Sequence, residues 1–133
     1  MTKKKILWFT ADFFIDVDRQ LVPYLRQNCE YEISWVVVQS FTGTKVPEHE
    51  DYEIWNLYHR AKDPRTFFEL KKYFKKAGLA QYDLVYSDAL GFYYYPALLH
   101  CIGKTPLIHA AHNVNPYPVW TWDLKLQVKY IFL

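Results

Sequence analysis

Tyr82 to Ile108, YDLVYSDALGFYYYPALLHCIGKTPLI, reads as strand, short loop, helix, glycine turn and strand. Asp83 to Tyr86 is a short apolar run that closes in Ser87-Asp88-Ala89-Leu90-Gly91. The segment around Pro96 to Ile102 reads as a helix stopped by Gly103, and a second apolar run starts at Leu107. Two such runs bracketing a helix make a β-α-β unit, whose strands are parallel because a crossover joins them. Unbroken apolar runs suit strands covered on both faces.

The same grammar extends upstream. Ile6 to Phe9 follows three lysines as a continuous apolar run, and Ile33 to Val38, ISWVVV, is apolar and β-branched, the strongest strand signal in the chain. Between them, Asp16 and Asp18 offer N-caps for a helix with Val17, Leu21, Tyr24 and Leu25 at helical spacing. Pro23 predicts a late start or a kink there. Ser40 to Asp51, with Gly43 and Pro47, reads as a loop, and Tyr52 to Tyr58 as a shorter strand near the sheet edge. Asp63-Pro64 is an N-cap with proline in the first turn, Phe67, Leu70, Phe74 and Ala77 form the apolar stripe, and Gly78 ends the helix.

Downstream, Leu107 to Ala111 is expected as a buried strand opening into a polar, proline-bearing loop that starts at His112 and Asn113. Trp120 to Leu133 fits strand or helix, and helix is preferred because the prolines before it reset the chain. The order β-α-β-β-α-β-α-β-α predicts a single α/β domain over residues 1–133. Its fold class is a Rossmann-like, mostly parallel sheet with helices on both faces, in three layers.

Composition narrows the function classes. With 133 residues the chain can bury a substantial core. An aromatic share of 20% points first to a thick aromatic core, and second to stacking surfaces. A net charge of +2 gives no signal for nucleic acid, and no nucleic-acid partner is expected. Cys29 and Cys101 stand far apart and read as small buried hydrophobes of a reducing compartment. No apolar run approaches membrane-spanning length and the N-terminus lacks signal-peptide features, so the expected location is cytoplasmic.

Three stretches carry a family resemblance: KKILWFT, the Tyr82–Ile108 run, and HAAHNVNPYP. Together they resemble the N-terminal, acceptor-side domain of GT-B type retaining glycosyltransferases. The resemblance implies a sugar or lipid-linked acceptor as partner, a nucleotide-sugar donor for the full enzyme, and no cofactor in this domain. It implies a piece that stops before the domain's last strand and lacks the C-terminal donor-binding domain, inactive alone. It also puts His112 in the cleft as the catalytic residue, against acceptor or transferred sugar. One departure concerns the loop Thr10 to Ile15, which has none of the glycines common there in the family.

Residue chemistry frames the other candidates. The imidazole of His112 can donate or accept near neutral pH, or it can cap loop backbone. Asn113 can bond a sugar or, preferably, its own turn. Ser87 and Asp88 close a strand at the ligand-binding end; Asp88 can accept from acceptor hydroxyls or cap the next helix, with the cap preferred. Asp12 is a cleft carboxylate or a turn residue. His109 faces opposite His112 in an extended strand, so no zinc site is expected. Phe68 with Lys71, Lys72, Lys75 and Lys76 forms an outer helix face suited either to solvent or to peripheral contact with anionic lipid.

The rival reading is a non-catalytic, flavodoxin-like signalling or binding module, on the strength of Asp12 and Lys104-Thr105-Pro106. A nucleotide-binding domain is disfavoured, since the chain has 4 glycines and neither G-x-G-x-x-G nor G-x-x-x-x-G-K-[ST].

Overall fold

The structure, a computed structural model, describes residues 3–12, 15–28, 30–89 and 91–110. The strands are β1 (Lys4–Ala11), β2 (Tyr31–Gln39), β3 (Glu53–Asn56), β4 (Leu84–Ser87) and β5 (Leu107–His109). The helices are α1 (Ile15–Asn28), α2 (Pro64–Ala77) and α3 (Tyr94–Ile102), and a single 3-10 turn, Leu79–Gln81, follows α2. The strands form one all-parallel sheet in the order β3-β2-β1-β4-β5. This bears out the expected α/β architecture.

Alternation along the strands sorts the core into two layers. Ile6, Trp8, Ile33, Trp35 and Val37 pack against Ile15 and Val22 of α1. Leu7, Phe9, Val36, Val38 and Val85 pack against Leu70 and Phe74 of α2 and Leu98 of α3. The order of strands explains the division. Chain travel from β1 to β3 runs one way across the sheet and from β4 to β5 the other, and a constant crossover hand then demands opposite faces. The β2–β3 connection has no helix; the 40–52 loop inserts Val46 and Tyr52 into the α1 layer in its place. Trp35 and Tyr52 meet there edge to face, with ring centroids 4.9 Å apart.

Helix α2 follows its sequence signals. The Asp63 side chain accepts from the Arg65 N–H, Pro64 opens the helix, and Gly78 takes the left-handed conformation at φ 70° while its N–H closes on the Phe74 carbonyl. Helix α3 starts at Tyr94, so Pro96 falls in its first turn, where no intrahelical N–H is lost.

Three expectations need correction. Helix α1 begins at Ile15 and continues through Pro23, which places Asp16 and Asp18 in its first turn and not at the cap. Its inward face is Ile15, Asp18 and Val22, whereas Val17, Leu21 and Tyr24 are exposed. Two apolar stripes run along this helix, and the one that faces inward contains an aspartate. Strand β5 ends at His109 with Ile108 53% exposed, so it is a half-covered strand, not a buried one. Cys101 is half-buried, while Cys29 and the Trp120–Leu133 segment lie outside the described residues.

Burial separates neighbouring phenylalanines of α2. Phe74 is buried and lies 5.0 Å from the Phe9 ring, whereas Phe68 is 58% exposed. Phe74→Ala is expected to cost about 3–5 kcal/mol and Phe68→Ala less than about 0.5 kcal/mol, read by urea unfolding of the two variants.

Candidate functional site

The sheet reverses its direction of winding between β1 and β4, and open parallel sheets bind ligands at the carboxyl ends of strands beside such a reversal. The ends of these two strands bring together Thr10, Asp12, Ser87 and Asp88, and α1 adds Asp18 from its first turn. Register fixes the placement: Phe9 lies beside Ser87, and the Asp88 N–H continues the ladder to the Phe9 carbonyl at 3.1 Å.

Two polar clusters result. In the first, Thr10 Oγ1 donates to Asp18 Oδ2 at 2.5 Å and accepts from Trp35 Nε1 at 3.3 Å. Asp88 faces both Thr10 and Asp18. Desolvation, then the Asp18 side chain as hydrogen-bond partner and like charge, push the Asp88 carboxyl far above the usual carboxylate range, so it carries its proton at neutral pH. Tyr86 sits under this pair, its ring stacked on Trp8 at 3.8 Å. Burial, then Asp88 and Asp18, push its phenol up to about 12.

The second cluster is built on Asp12. Its Oδ2 accepts from Ser40 Oγ at 2.6 Å, Gln39 Nε2 at 3.1 Å and the Ser40 N–H at 3.3 Å. Gln39 Nε2 also donates to the carbonyls of Ser40 and Thr44, while its Oε1 accepts from the Val46 N–H at 2.5 Å. One glutamine therefore folds the 40–46 segment against the end of β1. Gly43 is required there: a Cβ would lie 1.9 Å from Asp12 Oδ2 and 2.2 Å from Ser40 Oγ. Among the described residues, Asp12 Oδ1 and Ser87 Oγ are buried without a hydrogen-bond partner.

The structure thus gathers Asp12, Ser87 and Asp88 at one sheet edge, as their positions at strand ends predicted, but it buries all three. They line the base of the edge. Asp88 is not a helix cap: α3 begins six residues later behind Tyr93, with no side-chain cap. Burial, then the Asp12 and Glu69 carboxylates, raise the phenol of Tyr94 at the start of α3. His112 and Asn113 lie outside the described residues. His109 is half-buried, its ring 4.5 Å from that of Tyr95. Among the described residues, no group of three or more His, Cys, Asp or Glu side chains is arranged to hold a metal ion.

Sequence reading missed Asp18, Thr10 and Gln39. Asp18 carried a signal, an acid where the inward stripe of α1 needs an apolar residue, but helix-start chemistry explained it equally well. No family model, no curated protein and no solved structure matches this chain.

The acid pair sets a pH dependence. Unfolded, Asp88 loses its proton near its ordinary value of 3.8; folded, it holds the proton to about 9. Between those limits the native state binds the extra proton, so stability falls as pH rises. Asp88→Asn should flatten that decline and raise stability at pH 8 by about 1–3 kcal/mol, seen in urea titrations at pH 5 and pH 8. Gly43→Ala should cost about 1–3 kcal/mol by wedging Asp12 from Ser40, measured the same way.

Proposed function

We propose that this chain is the acceptor-binding N-terminal domain of a nucleotide-sugar-dependent retaining glycosyltransferase. The observation that carries the reading is the chemistry of the β1/β4 edge. Asp12, Asp18 and Asp88 with Thr10 and Ser87 supply carboxyl groups and hydroxyls, groups that pair with sugar hydroxyls and offer a phosphate no cation. The loop after β1 has no glycine with which to cradle a pyrophosphate, so the nucleotide end of the donor belongs on a separate domain.

In this reading, acceptor hydroxyls meet the edge between the loops after β1 and β4. Asp12 Oδ1 and Ser87 Oγ, which have no hydrogen-bond partner among the described residues, supply acceptor and donor capacity. His112, on the family resemblance, positions acceptor or sugar from the loop after β5. Developing charge at the anomeric carbon is stabilised by the donor phosphate and by groups of the second domain. The chain alone binds acceptor without turnover.

The strand order favours this reading over the flavodoxin-like module, whose sheet runs 2-1-3-4-5 where this one runs β3-β2-β1-β4-β5. The test is a titration of the isotope-labelled chain, followed by amide chemical shifts. Neutral pyranosides should move the signals of Thr10, Asp12, Ser87 and Asp88, while a nucleoside diphosphate leaves them in place. Shifts at this edge with the nucleotide and none with the sugars would overturn the assignment.

A further inference from the structure

The overall charge of +2 conceals a strong asymmetry. Segments 60–77 and 91–104, which carry α2 and α3 with their leading loops, hold eight lysines and arginines and two carboxylates. Both carboxylates are engaged. Asp63 holds Arg65, and Glu69 pairs with His59 and accepts from the Tyr58 N–H. The opposite layer, α1 with the 40–52 loop, has no such excess: it exposes Asp16, Glu48 and Glu50 against Arg19 and Lys45.

The basic layer also carries an unbroken array of aromatic rings. Phe68 touches Phe67 with centroids 5.4 Å apart, Phe67 reaches Tyr93 at 6.5 Å, and Tyr93 meets Phe92 at 4.8 Å. The two inner rings are half-buried, and the two end rings, Phe68 at 58% and Phe92 at 54%, stand exposed. Gly91 allows this projection. A Cβ there would lie 2.7 Å from the Tyr94 ring, so only glycine lets the chain cross that ring immediately before Phe92. On α2, Lys71, Lys72 and Lys75 sit three, four and seven residues beyond Phe68, hence on the same helix face. Lys72 and Lys75 are exposed and Lys71 half-buried.

We propose that the α2–α3 face docks onto an anionic lipid bilayer, with Phe68 and Phe92 entering the interfacial region and the lysines contacting headgroups. Exposed phenylalanines have no polar group to satisfy in water, and a bilayer interface offers them burial. Each lysine near an anionic leaflet adds attraction. The charge asymmetry orients the molecule, turning the basic α2–α3 layer toward the surface and the nearly balanced α1 layer away from it. The aromatic array borders the carboxyl edge of β3 and β4, so docking brings the Asp12–Asp88 edge close to the headgroups. Single-stranded nucleic acid, the other polyanion that combines cations with stacking, calls for a groove tracking its backbone. Here the rings cap the leading turns of two helices.

The experiment is co-sedimentation of the chain with vesicles of phosphatidylcholine alone or mixed with phosphatidylglycerol. Expected is partition onto the anionic vesicles only, weakened by salt. The Phe68→Ala/Phe92→Ala double substitution should lower the partition coefficient at least about tenfold, and Lys72→Gln or Lys75→Gln roughly fivefold each. Circular dichroism confirms that these surface variants are folded, and Tyr24→Ala on the opposite layer should leave partition unchanged. Equal partition onto both vesicle types, no partition, or an undiminished double variant would each overturn the proposal. So would tight binding of a fluorescent oligonucleotide without vesicle binding. The vesicles contain no sugar, so failure here leaves the acceptor reading untouched, and failure of the sugar titration leaves this surface untouched.

Discussion

Thr10 joins three elements through a single hydroxyl. Its proton goes to Asp18 on α1, its lone pair receives the Trp35 indole N–H from β2, and its backbone lies in the β1 ladder, one residue before the strand ends. An aspartate on the inward face of a helix would be costly without partners. This hydroxyl, with Asp88 beyond it, lets α1 lie flat on the sheet despite that residue. The price is a carboxylic acid kept neutral inside the protein. Native structure at this edge is thus coupled to proton binding, at the one place where the sheet reverses direction.

Much of the architecture was legible because local chemistry and tertiary need agreed. The runs at Ile6 and Ile33 are apolar without interruption, and both became strands covered on both faces. Helix α2 was readable almost to the residue, since Asp63, Pro64 and Gly78 act through bonds within their own turn. Strand β3 was found near its true bounds, and its Trp55 is buried and stacks on Tyr73 of α2 at 5.0 Å. This edge strand is closed on the Trp55 face, while Ile54 on the other face is half-buried.

Failures occurred where the deciding partner lies far off in sequence. Val17, Leu21 and Tyr24 repeat as convincingly as Ile15, Val22 and Leu25, and periodicity cannot rank two apolar stripes on one helix. The choice was made by Thr10, on another element, which makes an inward Asp18 tolerable. Gln39 gave no sign of its role either, because its four contacts reach backbone and side chains that only the folded β2–β3 connection assembles. The same holds for Asp88, whose neighbours in the chain suggested a cap while its neighbours in space made it half of an acid pair.

The helix-free β2–β3 connection has a consequence of its own. Its anchors gather toward its ends: Gln39 and Asp12 grip the near end, and Val46 and Tyr52 plug the layer, with the Tyr52 hydroxyl on the Pro47 carbonyl. Arg26 holds the far end through the Asp51 carbonyl at 3.1 Å. Between Pro47 and Glu50 the chain is exposed and bears no ladder bonds. Related sequences can therefore grow or shrink at that span, or accept a grafted peptide, without altering how the strands align.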